Sequence, residues 1–332
     1  MIWPLVESLN AMRPQLPRAL FTRRAVGRML SIARAARGSM DAFGFECRLA
    51  RGAERVDLGT RLKPGAAAAS GLARGGRGPD VGADDPLRRL SSEPERFCRL
   101  VSSVFLEYDA DSSPRAPTPS IFLELRSGRD VERGGGRCPG FFEVRRLLLD
   151  LMGPGRIAPC EEVLALCFQE LPRGGVVLVA GAMLGRSPQR ARVSVSISKN
   201  RIGAYLGRLG WPHWDREVSD IVRRLASRRA PVVIDFDVGA RVGPKVGVHF
   251  PSAGGLSVRH LLDELVGLGL CTTAKRRAVL AWPRVTTVRL RRRGWPCRFE
   301  RYLNHVKVTF AGGEVCEAKA YLGVAPGFSL IG

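Results

Sequence analysis

The sequence predicts an α+β fold: about ten antiparallel strands in repeated α-β-β-α units, closed into a barrel with helices outside and a polar lumen. Three observations predict it. Residues 190–198 alternate strictly, with Val193, Val195 and Ile197 on one parity and Arg190, Arg192, Ser194, Ser196 and Ser198 on the other. Residues 245–250 and 305–310 alternate in the same way. Such strands come in pairs, and helical patterns that need an apolar sheet face follow most pairs. The pairing recurs five times. Ten strands in one open sheet are unusual without curling, and closure removes edges that would otherwise aggregate. A plain antiparallel sheet with one solvated face is the alternative that this pattern leaves open.

The units run in order. Strands at 43–49 and 55–58 turn at Arg51-Gly52-Ala53, and a helix follows around 86–102. Strands at 104–109 and 120–126 flank the Pro-rich turn 113–119. Their helices, 141–152 and 159–171, repeat apolar residues at three- and four-residue spacing. The third unit places strands at 176–184 and 190–198 and helices at 201–209 and 215–227. The fourth has strands at 231–238 and 245–250, then helices at 257–268 and 273–282, the second capped by Thr272 or Thr273. The fifth pairs 302–310 with 315–323 across Ala311-Gly312-Gly313. Residues 63–85, rich in Gly, Ala, Pro and Arg, read as a loop or disordered insertion, and 127–139 as a second break. Both interrupt one barrel domain, 40–332, because the same unit stands on either side.

Residues 1–39 form a basic amphipathic segment in which seven arginines accompany one acid, Glu7. It reads as a first helix of the fold or an over-long gene start, and otherwise as a transit peptide. No apolar run reaches the ~18–20 residues that span a membrane. Eight cysteines without CxxC or zinc-ligand spacing point to free thiols in a reducing, cytoplasmic compartment.

A net charge of +22 is the usual mark of a nucleic-acid binder. Here the excess is arginine scattered through every segment, with few lysines, in an Ala/Gly/Pro-rich chain, which reads as codon bias. Nucleic acid therefore ranks third among partners. The densest basic run, 289–293 with Arg298 and Arg301, reads as a solvated turn. Neither Gly174-Gly175 nor Gly185-Arg186-Ser187-Pro188 opens a helix with a following Lys, so neither is a phosphate loop. No DDxxD motif is present, Asp84-Asp85 belonging to the insertion, and no metal or cofactor is expected.

The polar parity collects the chemistry. It holds Glu46 and Arg48, then Glu107 with Phe105 and Asp109, Glu124 with Phe122, Arg190 and Arg192, Asp235 and Asp237, Lys245 and His249, His305 and Lys307, and Lys319 and Tyr321. A barrel wider than eight strands leaves room for a ligand. A lumen rich in Arg and Lys is costly unless water stays or an anion enters.

Pro244-Lys245-Val246-Gly247-Val248-His249, residues 190–198, Asn304-His305-Val306-Lys307-Val308 and Glu317-Ala318-Lys319-Ala320-Tyr321 have basic residues on alternating strand positions. With the five α-β-β-α units, over roughly 40–325, the chain resembles the ABBA (PT-barrel) aromatic prenyltransferases. His249 stands where that family has an aromatic hydroxyl, and tyrosines number only four. The resemblance implies metal-independent transfer of a prenyl group from a prenyl diphosphate to a small aromatic or peptide acceptor. Arg190, Arg192, Lys245, Lys307 and Lys319 would then hold the diphosphate. Tyr321, Phe105 and Phe122 would shield the allyl cation, and Glu107 or Glu46 would act as hydrogen-bond acceptor or base. His249 and His305 are read as structural. A non-catalytic accessory protein of the same fold, holding a peptide or small anion, is the competing expectation.

Overall fold

A computed structural model of the chain describes residues 3–36, 39–65, 86–110, 118–126, 138–186, 189–226, 231–252, 258–289 and 296–328. Most of the insertion, Asp84-Asp85, residues 290–293 of the basic run, and the turn residues 113–117, Ser187 and Pro188 lie outside the described residues. So do 127–137, the greater part of the second break.

The main sheet begins with β3 (Ala42–Arg48), because the short strands β1 (Trp3–Pro4) and β2 (Ser39–Met40) pair only with each other. β4 (Val56–Leu62), β5 (Val101–Tyr108), β6 (Ser120–Leu125), β7 (Val176–Ala182), β8 (Ala191–Ile197), β9 (Val232–Val238) and β10 (Val242–Pro251) follow in sequence order, each antiparallel to the last. β12 (Pro296–Ala311) and β13 (Glu314–Phe328) complete it. β13 returns to β3 with Tyr321 opposite Glu46, and β10 pairs with β12 from Lys245↔Ala311 to Pro251↔His305. Those two seams close a ten-stranded barrel, and the closure expected from the sequence is observed. An added strand, β11 (Arg284–Arg289), lies along the first half of β12.

Of the expected basic turn only Arg289, Arg298 and Arg301 are described, and these three are strand rather than solvated turn: Arg289 ends β11, and Arg298 and Arg301 sit on β12 paired with it. Arg301 is buried over the Trp282 ring, 5.0 Å from its centroid, and donates to the Gln15 carbonyl. β12 and β13 also run well beyond the expected bounds: past a register shift between Leu303 and His305 they stay paired with each other as far as Cys297↔Phe328, and β11 adds to β12 there.

Helices fill the outside. α1 (Leu5–Met12) and α2 (Arg23–Ala36) precede β3, and α3 (Pro86–Ser91) and α4 (Pro94–Leu100) precede β5. α5 (Phe141–Met152), α6 (Pro154–Ile157) and α7 (Glu161–Gln169) precede β7. α8 (Ile202–Arg208) and α9 (Arg216–Leu225) precede β9, and α10 (Val258–Gly267) and α11 (Thr273–Leu280) precede β11. Their starts follow local chemistry. Asp215 caps α9 by accepting from Val218 N at 2.9 Å, and Thr272 caps α11 by accepting from Lys275 N. Val144, Leu147, Leu148 and Leu151 put one apolar stripe of α5 on the sheet. Leu5, Leu9 and Met12 of α1 and Met29, Ile32 and Ala33 of α2 join the same core.

The core is therefore a ring between helices and sheet. Val193, Val195, Ile197, Val246, Val248, Val306 and Val308 are all fully buried in it. The opposite parity faces the lumen. No described helix is long and apolar enough to cross a membrane.

Candidate active site

The lumen encloses a cavity of about 550 Å3, within the range of small-molecule sites. It extends from the barrel end where helices join strands, marked by Ala42, Arg61, Ser102, Pro251 and Tyr302, to Glu46, Glu107, Arg192, Asp235 and Lys307 at mid-height. Of the expected site residues, Glu46, Glu107, Arg192, Lys307, Tyr321, Phe105 and Phe122 line it together. Phe105 and Phe122 are paired neighbours on β5 and β6.

The others stand higher. Lys319 sits above the cavity and donates to Glu46 Oε1 at 2.7 Å. Lys245 and Arg190 are corrected from lumen residues to rim residues. The β9–β10 register breaks between Val242 and Val246, which leaves Pro244 and Lys245 exposed at the turn end. Arg190 precedes β8 at the same end, near Gly243.

Glycines make room for the large lumen groups. A Cβ at Gly247 would lie 2.0 Å from Asp235 Oδ1 and 2.2 Å from Lys307 Cε, and one at Gly181 would lie 2.3 Å from the Phe122 ring.

Lys307 and Arg192, the cations at mid-height, each have a carboxylate. Lys307 Nζ lies 2.5 Å from Asp235 Oδ2 in a pair that is almost fully buried. Arg192 bridges Asp237 at 2.7 Å and approaches Asp235 at 3.7 Å. Above them an ion lattice crosses the turn end. Arg48 joins Asp57 at 3.0 Å and Glu317 at 3.0 Å, Arg55 joins Asp57 and Asp109, and Arg186 clasps Asp109 with both nitrogens at 2.8 and 2.9 Å. Arg61, nearer the other end, forms no ion pair among the described residues.

Burial works to raise the Glu46 pKa, but Lys319 and Lys307, with hydrogen bonds from Lys319 and the Tyr321 hydroxyl, hold it far below the usual carboxylate range. Both Glu46 oxygens are engaged, Oε1 by Lys319 and Oε2 by Tyr321, so Glu46 anchors the wall. Glu107 is the opposite case. Burial and the neighbouring Glu46 and Asp57 push it up to about 7, against the opposing pull of Arg192 and Arg186. A carboxyl balanced there can accept or return a proton.

Three rings form a band beside Glu46. His305 stacks on Tyr321, centroids 4.1 Å apart at 22°, and His249 lies 4.6 Å from His305. His249, His305, Tyr302, Asp235 and Arg61 all line the cavity, although none was singled out as a site residue. Asp235, His249 and His305 carried a visible signal, the shared polar parity. Arg61 lay beyond the expected strand end and Tyr302 at its first residue, so neither stood out. Among the described residues no three His, Cys, Asp or Glu side chains cluster as a metal would require.

A closed ten-stranded antiparallel barrel wrapped by helix pairs, with a polar lumen, is the ABBA (PT-barrel) architecture of aromatic prenyltransferases, and this chain has that fold. The prenyltransferase PriB in its apo form superposes with a TM-score of 0.55 at 14% identity, covering 97% of this chain and 96% of that one. The 5-dimethylallyl tryptophan synthase from Streptomyces coelicolor, in complex with DMASPP and Trp, gives 0.55 at 14% identity, covering 96% and 95%. AnaPT from Neosartorya fischeri gives 0.53 at 13%, covering 95% and 90%. No family model and no curated protein matches the sequence. The likeness is one of architecture.

Proposed function

We propose that the lumen carries metal-independent prenyl transfer from a prenyl diphosphate to a small aromatic acceptor or an aromatic side chain of a peptide. One observation carries the reading: Arg192, Lys307, Tyr321, Phe105, Phe122 and Glu107 converge on one cavity in the lumen of a barrel with the prenyltransferase fold. The allylic C–O bond breaks and the diphosphate leaves with the electron pair. Arg192, Lys307 and Lys319 stabilise that departing charge, an effect strengthened where water is scarce. Arg190 and Lys245 add positive potential at the rim. Tyr321, Phe105 and Phe122 shield the allyl cation. A ring carbon of the acceptor supplies the pair for the new C–C bond, and loss of its proton restores the ring. Glu107 accepts a hydrogen bond from the acceptor's N–H or O–H. A cavity of about 550 Å3 suits a short prenyl chain beside a single- or double-ring acceptor.

The test is thermal shift with dimethylallyl diphosphate, followed by mass spectrometry with tryptophan, indole and phenol acceptors. Stabilisation by the diphosphate and a prenyl mass increment are expected. Neither effect in the intact protein would overturn the reading.

A non-catalytic binder of the same fold is favoured by a specific feature. Lys307, Arg192 and Lys319 are already matched by Asp235, Asp237 and Glu46, so a diphosphate must displace these partners. Binding without turnover would select that reading.

A further inference from the structure

Asp235 on β9, His249 on β10 and His305 on β12 stand in series along the lumen wall. His249 Nε2 lies 3.3 Å from Asp235 Oδ1, and His249 Nδ1 lies 3.0 Å from His305 Nε2. Neither Asp235 Oδ1 nor His249 Nε2 has an aligned hydrogen bond, and the two face each other at this spacing.

The order of protons follows from which groups have one to give. Asp235 has none, because burial is outweighed by Lys307 at 2.5 Å, His249 and Arg192, which keep it ionised. An ionised carboxylate favours the His249 tautomer with its proton on Nε2. His249 Nδ1 is then an acceptor, and the proton between the rings must come from His305 Nε2. A neutral imidazole carries one ring proton. His305 Nδ1 is therefore left with a bare lone pair, and it has no hydrogen-bond partner among the described residues. Burial first lowers the pKa of both rings; for His305 the neighbouring His249 and then Lys307 add to it, and for His249 Lys307 adds to it against the opposing pull of Asp235. Tyr321 holds His305 face to face at 4.1 Å. The charged or titratable groups about His305 are His249, Lys307, Asp235, Glu46 and Tyr321. Of these Glu46 is committed to Lys319 and Tyr321, and Asp235 to Lys307 and Arg192.

We propose that His305 is the proton acceptor of the lumen: after the C–C bond forms, its Nδ1 takes the ring proton from the acceptor, with His249 and Asp235 positioning it. This rests on the prenyl-transfer reading above. The C–H electron pair returns to the ring, the proton makes His305 an imidazolium, and Asp235 stabilises that charge through His249. No oxidant or other co-reactant enters. His305 is the catalytic residue, and His249 and Asp235 are positioning residues.

Two measurements test it. The first needs no substrate. Nitrogen-15 NMR of histidine-labelled protein reads the tautomer of each of the four histidines, His213, His249, His260 and His305, assigned by single His→Gln variants. His305 is expected to be unprotonated at Nδ1 and protonated at Nε2. The paired variant Asp235→Leu/Lys307→Met removes the carboxylate without leaving a lone buried charge, and is expected to abolish that preference. Protonated Nδ1 in the wild type overturns the proposal.

The second uses dimethylallyl diphosphate with ring-deuterated tryptophan. His305→Gln is expected to slow turnover by about 100-fold or more. It should also reveal a primary deuterium isotope effect, since proton loss becomes the slow step. His249→Gln, which frees the tautomer but keeps the base, is expected to cost about tenfold. Unchanged turnover in His305→Gln overturns the base while leaving prenyl transfer standing. A wild type that binds no diphosphate and makes no product removes the prenyl-transfer reading, and the base falls with it.

Discussion

At the scale of single residues, the lumen sorts its carboxyls by neighbours rather than by depth. Glu46 and Glu107 are both buried, yet Lys319, Lys307 and Tyr321 pull one down while Glu46 and Asp57 help burial push the other up. The sign for Glu107 is that of an acid raised in the folded state. Its protonated form contributes fully below the unfolded value of 4.5, and the contribution is lost as pH rises through about 7. Glu107→Gln is therefore expected to stabilise the protein at pH 8.5, by on the order of 2 kcal/mol, and to leave it nearly unchanged at pH 5. Denaturant melts at the two pH values check this, and an equal effect at both would contradict the assignment. Lys307 makes a second case. Removing it as Lys307→Met leaves Asp235 with a single distant cation, Arg192 at 3.7 Å, and is expected to cost about 3–5 kcal/mol. Adding Asp235→Leu should recover most of that, which a double-mutant cycle in urea would measure.

At the scale of elements, strand β10 depends on a missing side chain. Gly247 faces the Lys307–Asp235 pair, and a Cβ there would overlap both partners. Gly247→Ala is expected to destabilise by about 1–3 kcal/mol through overpacking. Gly59→Ala on β4, whose Cβ would meet nothing nearer than 3.9 Å, is the control expected to cost far less. Thermal melts of the pair decide it, and equal losses would sink the steric argument. Helix α11 is tied to the β3–β4 turn by Lys275, which donates to the carbonyls of Arg48, Ala50 and Ala53 at 2.8, 2.8 and 2.5 Å. Much of this level was legible in the sequence. The strict alternation of 191–197 fixed which parity of β8 meets the helices, and the apolar spacing of α5 gave its bounds to the residue. The rest had physical reasons to stay hidden. β11 carries too little apolar alternation to stand out between the expected helix end at Trp282 and the basic run that begins at Arg289. Lys245 keeps the parity of His249 along β12, but it pairs with Ala311 at the turn end of the barrel, and parity counting does not say how high on the wall a residue stands. The matching of Lys307 to Asp235 two strands away, and of Arg192 and Lys319 to Asp237 and Glu46 on the neighbouring strands, depends on barrel registers that no local pattern contains.

At the scale of the whole molecule, closing the ring puts many ionisable groups in one buried band, so stability depends on pH in two stages. His305 and His249 are held below 6.5 by burial, with Lys307 adding to it. A depressed histidine contributes stability that is present above its unfolded pKa and is lost as pH falls through the folded value. The first stage of acid destabilisation therefore begins below about pH 6.5, as the unfolded chain takes up protons that the folded barrel resists. Glu46, Asp235 and Asp109 are depressed carboxylates, buried but held down by Lys319, Lys307 and Arg186 respectively. Their contribution is present above the unfolded carboxylate values and is lost as pH falls beneath them, giving a second, steeper stage below about pH 4.5. Measured in the Glu107→Gln background, which removes the opposing gain as pH falls through about 7, melting temperatures across pH 8 to 3.5 are expected to show a gentle decline followed by a steep one. The double variant His249→Gln/His305→Gln should lose the gentle decline and keep the steep one. If that variant retains the decline between pH 6.5 and 5, the buried imidazoles are not its source, and the neutral state assigned to the pair in the lumen would have to be given up.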